Sequence, residues 1–177
     1  MKRLIVMVAL TGLLSMLVCG CGKTEDEENK IDMSVTSENI SNGVWDPVIT
    51  NTAHGENTSP ELTWSEVNGA GEYVIYMIDP DGGNWIHWIA SGITNTHVDA
   101  GAELPESEYI GPYPPSGTHR YIVTVYALKA KPDSLPGRFD SSNRDTGIIS
   151  KGLDVSEGKS GNVISSCSIE GTYTAGD

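Results

Sequence analysis

The residues best suited to chemistry in this 177-residue chain are one aspartate and two histidines. Asp79 ends an apolar run, His87 lies between Trp85 and Trp88 in the next such run, and His119 follows a proline-rich loop. A carboxylate and two imidazoles brought together can bind an anion, orient one another or transfer protons. The pattern favours one convergent pocket. The alternative is that each histidine is a structural residue hydrogen-bonded to a nearby turn.

Other kinds of site have less support in the sequence. His87, His119, Asp79 and Asp81 include the residue types that bind metals, but no HxxxH or CxxC spacing accompanies them, so we predict no metal site. No G-x-S-x-G motif is present, which argues against an esterase-type nucleophile. The Gly-Lys-Ser at 158–160 lacks the leading glycine of a phosphate-binding loop, since position 153 is leucine. No cofactor is predicted.

Three apolar runs predict the strands that would position these side chains, at residues 72–78, 85–90 and 121–129. Runs that are apolar at nearly every position are typical of strands covered on both faces. The two-residue period of a strand places His87 on one face with Trp85 and Ile89. It also places His119 on one face with Tyr121.

Composition limits the architecture and the class of protein. With 38% hydrophobic and 20% charged residues, the chain can form one compact domain. Further strands are predicted at 62–64 and 163–173, and at most a short helix at 139–152, so the fold is mainly β. Three cysteines are too few for a disulfide scaffold. A formal net charge of −13 argues against a nucleic-acid partner.

The first residues predict a processing signal and a lipid anchor. Two cations precede an apolar run over 4–18, which is too short to span a bilayer, and the segment then reads Leu-Val-Cys-Gly-Cys at 17–21. We therefore predict a lipoprotein signal peptide at 1–20, a lipidated Cys21, a flexible acidic tether at 21–32 and a folded domain at 33–177. The alternative is an ordinary signal peptide with Cys21 incidental. Cys167 then remains an unpaired thiol, predicted to be a small buried hydrophobe.

Four sequence segments, taken in their order along the chain, form a specific pattern. They read NTSPELTW at 57–64, DPD at 79–81, WIHW at 85–88 and YIGPYPPSGTHRY at 109–121. Together they closely resemble the phosphatidylethanolamine-binding protein family, in particular its bacterial Raf-kinase-inhibitor-like branch. Residues 169–173 resemble the family's last strand. Two departures are a short 82–84 loop without the usual Ala-Pro, and a weak match over 131–161.

The resemblance implies a large central antiparallel, Greek-key-like sheet, a second smaller sheet and little helix. It also implies a small pocket at the end of the sheet for phosphate or a phospholipid head group. By motif, the ligand-binding residues are Asp79, Trp85, His87, Pro112, Pro114, Gly117, His119 and Tyr121. Because the chain as a whole is acidic, such a pocket is expected to be locally positive.

The leading hypothesis is a non-catalytic protein, tethered by lipid to a membrane of the bacterial envelope, that binds a small anionic or phosphorylated ligand. A second hypothesis, suggested by inhibitory members of the family, is an inhibitor of an envelope protease or another protein partner. A third is a hydrolase with His87 and His119 as acid and base and Asp79 as the orienting residue.

Overall fold

The computed structural model describes residues 33–176. Its elements in chain order are β1 Val35–Thr36, β2 Ile40–Ser41, β3 Val44–Trp45, a 3₁₀ helix Pro47–Ile49, β4 Leu62–Trp64, β5 Glu72–Asp79, β6 Trp85–Ile93, β7 His97–Val98, β8 Glu106–Tyr109, β9 Thr118–Leu128, α1 Gly147–Leu153, β10 Val155–Ser156, β11 Lys159–Ser160 and β12 Val163–Thr174. The predictions for Cys21, the signal peptide and the tether lie outside the described residues. No helix among the described residues is long and apolar enough to cross a membrane.

A seven-stranded sheet in the order β2-β3-β12-β9-β5-β6-β8 dominates the structure. Its central strands are covered on both faces, as their continuous apolar runs predict. One face packs a cluster that includes Trp45, Trp88 and Tyr121. The other face packs a smaller cluster with Tyr76, Ile86 and residues of α1. The sheet is therefore a rigid platform between two cores.

The mainly β prediction is confirmed, but the large sheet is mixed rather than purely antiparallel. β3 runs parallel to β12, with Val44 opposite Thr172, and the Thr172 N–H donates to the Gly43 carbonyl at 2.8 Å. The N-terminal hairpin of β2 and β3 thus continues the sheet beyond β12. Antiparallel β1-β4-β7 forms the smaller sheet, and β10 and β11 form a separate hairpin. The short helix predicted within 139–152 is α1.

Strand β9 begins earlier than predicted, at Thr118 rather than at residue 121. The added residues belong to the sheet because His119 lies opposite Tyr173 and Arg120 lies opposite Thr172 on β12. Pairing with β12 therefore extends β9 to the end of the proline-rich loop. His119 is held by a strand and not by a loop.

A β-bulge in β6 overturns part of the predicted face assignment. Ile86 lies opposite Ile78 and Trp88 lies opposite Met77, so His87 is an extra residue between two consecutive pairs. His87 shares a face with Trp85 at the cavity, but Ile89 packs into the cluster on the opposite side of the sheet. The predicted common face of His87 and Ile89 was wrong because the inserted residue reverses the alternation.

Cys167 lies on β12 opposite Val125 and packs partly buried against the larger core. Burial raises the pKa of its thiol to about 11, so the thiol stays protonated at neutral pH. Both observations agree with a packing role rather than a nucleophilic one. No cluster of three or more metal-binding side chains occurs within residues 33–176.

Candidate functional site

A cavity of about 500 Å³ opens at the end of the large sheet where β5, β6 and β9 meet the proline-rich loop. Its wall is formed by residues from the end of β5, the start of β6 and β9, and four separate loops. They are Asn51, Asp79, Asp81, Gly82, Trp85, His87, Ile110, Gly111, Tyr113, Pro115, His119 and Asp140. The volume suits a small ligand rather than a whole lipid.

A buried carboxylate orients one histidine of this cavity. Asp79 is 4% exposed, and its Oδ2 lies 2.7 Å from Nδ1 of His119. A carboxylate only accepts, so the His119 proton lies on Nδ1 and Nε2 is the ring nitrogen left for a ligand. The other oxygen of Asp79 accepts from the Gly82 N–H at 2.7 Å, which closes the turn after β5. One side chain thus shapes the turn and fixes the imidazole.

His87 is oriented by backbone. Its Nδ1 lies 2.8 Å from the Ile110 carbonyl oxygen, which can only accept, so its neutral ring also carries the proton on Nδ1. Burial lowers the pKa of His87, although the Ile110 carbonyl and the charge of Asp79 oppose that shift. His87 is therefore a neutral imidazole at neutral pH.

Tyr121 lies against both histidine rings. Its ring centroid is 5.3 Å from that of His87 in an edge-on arrangement and 6.5 Å from that of His119 in a stacked one. Tyr121 is fully buried, and burial, with the charge of Asp79 added, raises the pKa of its hydroxyl. It packs against the two rings as an uncharged group.

The lowered pKa of His87 predicts that acid weakens the fold. In the unfolded chain, His87 has the ordinary histidine pKa of about 6.5. In the folded protein it gains its proton only at a lower pH. The unfolded state therefore binds more protons as the pH falls below about 6.5, and the free energy of unfolding decreases. We expect His87→Gln to reduce this loss, measured by denaturant unfolding between about pH 7.5 and about pH 5.5.

A matched control for that measurement is His54→Gln, at an exposed position. It should leave the pH dependence as in the parent protein. His97 acts in the opposite direction, because Asp99 raises its pKa, so the comparison is between the slopes of the variant and the parent. Equal slopes in the His87→Gln variant and the parent would contradict the assignment.

Close backbone packing holds the loop that forms one wall. Gly111 donates its N–H to the Asn57 side chain at 2.7 Å, and the N–H of Asn51 donates to the Pro112 carbonyl at 3.1 Å. The Ile110 N–H donates to the His87 carbonyl at 2.9 Å, so loop and β6 are joined at the histidine itself. A β-carbon on Gly111 would lie 2.7 Å from the Asn51 nitrogen, which shows how little space remains.

The short 82–84 loop does not close the cavity. It is joined to residues 138–143, which we call the strap. The Asn143 N–H donates to the Gly83 carbonyl at 3.2 Å, and the Asn84 amide donates to the Asn143 carbonyl at 3.2 Å. The strap thus contributes Asp140 to the wall at the Trp85 side. This part of the chain lies within the region where the resemblance was weak.

The charges around the cavity differ from the locally positive pocket expected from the resemblance. Three carboxylates, those of Asp79, Asp81 and Asp140, belong to the lining, and none of its residues within 33–176 is a lysine or an arginine. Arg120 lies nearby and binds both carboxylate oxygens of Asp81 at 3.0 Å, which holds the pKa of Asp81 at about 2. Among the described lining residues, only a histidine can carry a positive charge.

The structure brings four of the predicted site residues together in the wall, namely Asp79, Trp85, His87 and His119. The other four lie beside it. Tyr121 packs against the histidines, and the Pro112 carbonyl accepts from the Asn51 N–H. Pro114 lines a neighbouring cavity of about 320 Å³, and Gly117 precedes β9 with a φ of 68°. The predicted set did not include the lining residues Gly82, Ile110, Gly111, Tyr113 and Pro115, which lie in or beside the quoted segments, and it also missed Asn51 and Asp140. Both come from segments without a motif, and no local pattern marks either one.

Comparison with known proteins agrees with this architecture. A family model described as phosphatidylethanolamine-binding protein matches residues 28–174. The chain belongs to the phosphatidylethanolamine-binding protein family. The crystal structure of YbcL from Escherichia coli, described as a new member of the mammalian family, superposes with a TM-score of 0.61 at 25% identity. It covers 81% of this chain and 98% of that one.

Two relatives of this family member differ in how much they share with it. A UPF0098 protein of Methanothermobacter thermautotrophicus is 32% identical over 146 residues, which cover 71% of this chain and 88% of that protein. LppC of Mycobacterium tuberculosis, described as a candidate lipoprotein, is 38% identical over 99 residues. That match spans 47% of this chain and 49% of LppC.

Proposed function

We propose that this family member is a non-catalytic protein that binds a small phosphorylated ligand, such as phosphate or a phospholipid head group, in the cavity beside His87 and His119. The observation that carries the proposal is the pair formed by Asp79 and His119, whose nitrogen and oxygen lie 2.7 Å apart. It fixes an imidazole in the wall of a cavity of ligand size. The family name adds that ethanolamine phospholipids are the head groups to test first.

The two histidines would contact phosphate in different ways. When His119 is protonated, Nδ1–H still donates to Asp79 and Nε2–H donates to a phosphate oxygen, a charge-assisted hydrogen bond. Neutral His87 offers a lone pair at Nε2, which accepts from the hydroxyl of a protonated phosphate. The first contact needs an imidazolium, and the second needs a phosphate that keeps a proton.

Several features support binding without turnover. Among the residues that the structure describes, the lining contains no serine, threonine, cysteine or lysine that could act as a nucleophile. Tyr121 is an uncharged buried group, and Cys167 lies away from the wall on β12. The histidines are each held through Nδ1, an arrangement that suits fixed recognition of a ligand.

Histidine NMR signals, followed during titration with inorganic phosphate and with phosphoethanolamine, test the proposal. We expect the signals of His87 and His119 to shift and saturate, more strongly toward about pH 5.5 than toward about pH 7.5. His97, on the smaller sheet, is the internal control and should not move. His119→Gln should weaken both ligands at least tenfold, or about 1.4 kcal/mol. Flat His87 and His119 signals would reject the proposal and direct the search to protein partners.

We also propose that a lipid on Cys21 holds the protein at a membrane of the bacterial envelope. The supports are the Leu-Val-Cys-Gly-Cys segment at 17–21 and the likeness to LppC, described as a candidate lipoprotein. Cys21→Ser should release the protein from the membrane fraction and abolish labelling by a radioactive fatty acid. Unchanged labelling of that variant would reject the anchor.

A further inference from the structure

The three carboxylates of the cavity are not equally engaged. Asp79 accepts from His119 and Gly82, and Asp81 is paired with Arg120. Asp140 forms no ion pair within the described residues, and its side chain accepts a single hydrogen bond, from Nε1 of Trp85 at 3.3 Å. Asp140 is therefore the carboxylate of the wall whose charge is left to act on a ligand.

The backbone fixes this carboxylate in place. Asp140 has a φ of 48°, in the left-handed region that residues other than glycine rarely adopt. Its N–H donates to the Ile86 carbonyl at 3.0 Å, and the Ile86 N–H donates to the Ser141 carbonyl at 3.2 Å. Asn143 adds hydrogen bonds to the carbonyls of Arg138 and Ser141 within the strap. The strap thus holds an exposed acid against the Trp85 end of the cavity.

Such a wall suits a ligand with two ends of opposite charge. A phosphate can meet the positive charge of protonated His119 while an ammonium group meets Asp140. A phosphate without a cation would be repelled by the Asp140 charge, with nothing gained in return. The same wall would accept the head group of a lipid or a free phosphorylated amine.

We propose that Asp140 is the specificity-determining residue that makes this site prefer phosphorylated ligands carrying an ammonium group. The inference rests on the proposed function, because it assigns a preference within the same cavity. It concerns a residue of the strap, a segment that no motif of the sequence singled out.

The test compares two ligands that differ at one group, phosphoethanolamine and 2-hydroxyethyl phosphate. Their dissociation constants are measured by calorimetry at low ionic strength, where exposed charges are least screened. The parent protein should prefer phosphoethanolamine by at least about fivefold, the effect of two unit charges about 4 Å apart in water. Asp140→Asn should bring the ratio close to one, by weakening phosphoethanolamine and leaving 2-hydroxyethyl phosphate unchanged or tighter. Vesicles of phosphatidylethanolamine are tested beside soluble phosphoethanolamine. The comparison shows whether the protein binds the head group of a membrane lipid or the free molecule.

The substitution is well matched to the question. Asparagine keeps an oxygen to accept from Trp85 and tolerates the left-handed backbone, so only the charge is removed. Asp145→Asn is the control, since Asp145 lies just beyond the strap, is absent from the wall and accepts from the Gly147 N–H. That control should keep the parent's ratio.

Each outcome decides a different question. A ratio unchanged in Asp140→Asn, or an equal change for both ligands, would overturn the assignment of Asp140 while leaving the phosphate site intact. An equal drop in the ratio for Asp145→Asn would also overturn it, because net charge alone would then be responsible. If neither ligand binds the parent protein, the proposed function itself fails.

Discussion

Replacing Asp79 by alanine is expected to lower the free energy of unfolding by about 3 kcal/mol and to abolish measurable phosphate binding. The carboxylate is almost fully buried and accepts from both the Gly82 N–H and Nδ1 of His119. Its removal leaves two donors without their acceptor at a site with little access to water, and each such donor costs about 1–3 kcal/mol. The His119 ring also loses the contact that sets its orientation.

Chemical denaturation and phosphate titration of the same variant measure the two effects. Asp81→Ala is the control for the stability measurement, because Asp81 is an exposed residue whose ion pair with Arg120 should contribute much less. An Asp79→Ala protein as stable as the parent would contradict the structural role. Normal phosphate affinity in that protein would contradict the role in binding.

Asp79→Asn separates orientation from charge. The amide can keep an oxygen for Gly82 but presents an NH₂ group to His119, so the neutral ring must accept at Nδ1 and carry its proton on Nε2. Nitrogen-15 spectra should show the tautomer exchanged. Phosphate binding should then persist at higher pH, because a neutral ring already offers Nε2–H.

Replacing Gly111 by alanine is the second large effect, expected to cost about 3 kcal/mol and to destroy the cavity wall. A β-carbon there would collide with the Ile49 carbonyl oxygen and would approach the Asn51 nitrogen to 2.7 Å. These are backbone atoms at the end of the 3₁₀ helix and just after it, which cannot turn away as a flexible side chain would. The loop has to move, and the Ile110 carbonyl that orients His87 moves with it.

Thermal or denaturant unfolding together with the NMR signal of His87 checks this expectation. Gly117→Ala, in the same loop, is the control, because a β-carbon at Gly117 would meet no atom within 4 Å. That control carries only the strain of its φ of 68°, about 1 kcal/mol. Equal losses for the two variants would show that close packing at Gly111 is not the cause.

The central strands were predictable because their physics is local. Continuous apolar runs locate β5, β6 and β9, because a strand buried on both faces is apolar at nearly every position. An alternating run locates β12, because a strand buried mainly on one face is apolar at every second position. The ends of strands follow from pairing instead. β9 starts at Thr118 because β12 is long enough to pair with it there. The residues around β9 in the sequence carry no information about that pairing.

The bulge at His87 shows where local reasoning fails. A strict two-residue period assigns His87 and Ile89 to one face, and only the register with β5 reveals the extra residue between Ile86 and Trp88. The parallel pairing of β3 with β12 is of the same kind, since it joins Val44 to a residue near the other end of the chain.

Within the site, residue types and motif order were enough to select Asp79, Trp85, His87 and His119, four groups that the structure places around one cavity. The partners that orient them were not predictable with the same detail. The acceptor for His87 is a backbone carbonyl, which every residue offers, and its choice depends on how the loop packs against β6. The sign of the local charge was also mispredicted, because Asp140 reaches the wall from the strap.

The sequence by itself determined the fold class, the central strands, the family and the identity of the main chemical groups. These properties follow from hydrophobic patterning and from short motifs whose residues are neighbours along the chain. Only the tertiary structure decided which carboxylate holds which imidazole, which face His87 takes and which acid is left without a counter-ion. Those outcomes depend on distances between segments as far apart as Asp79 and His119, or Trp85 and Asp140, and such distances are set by packing.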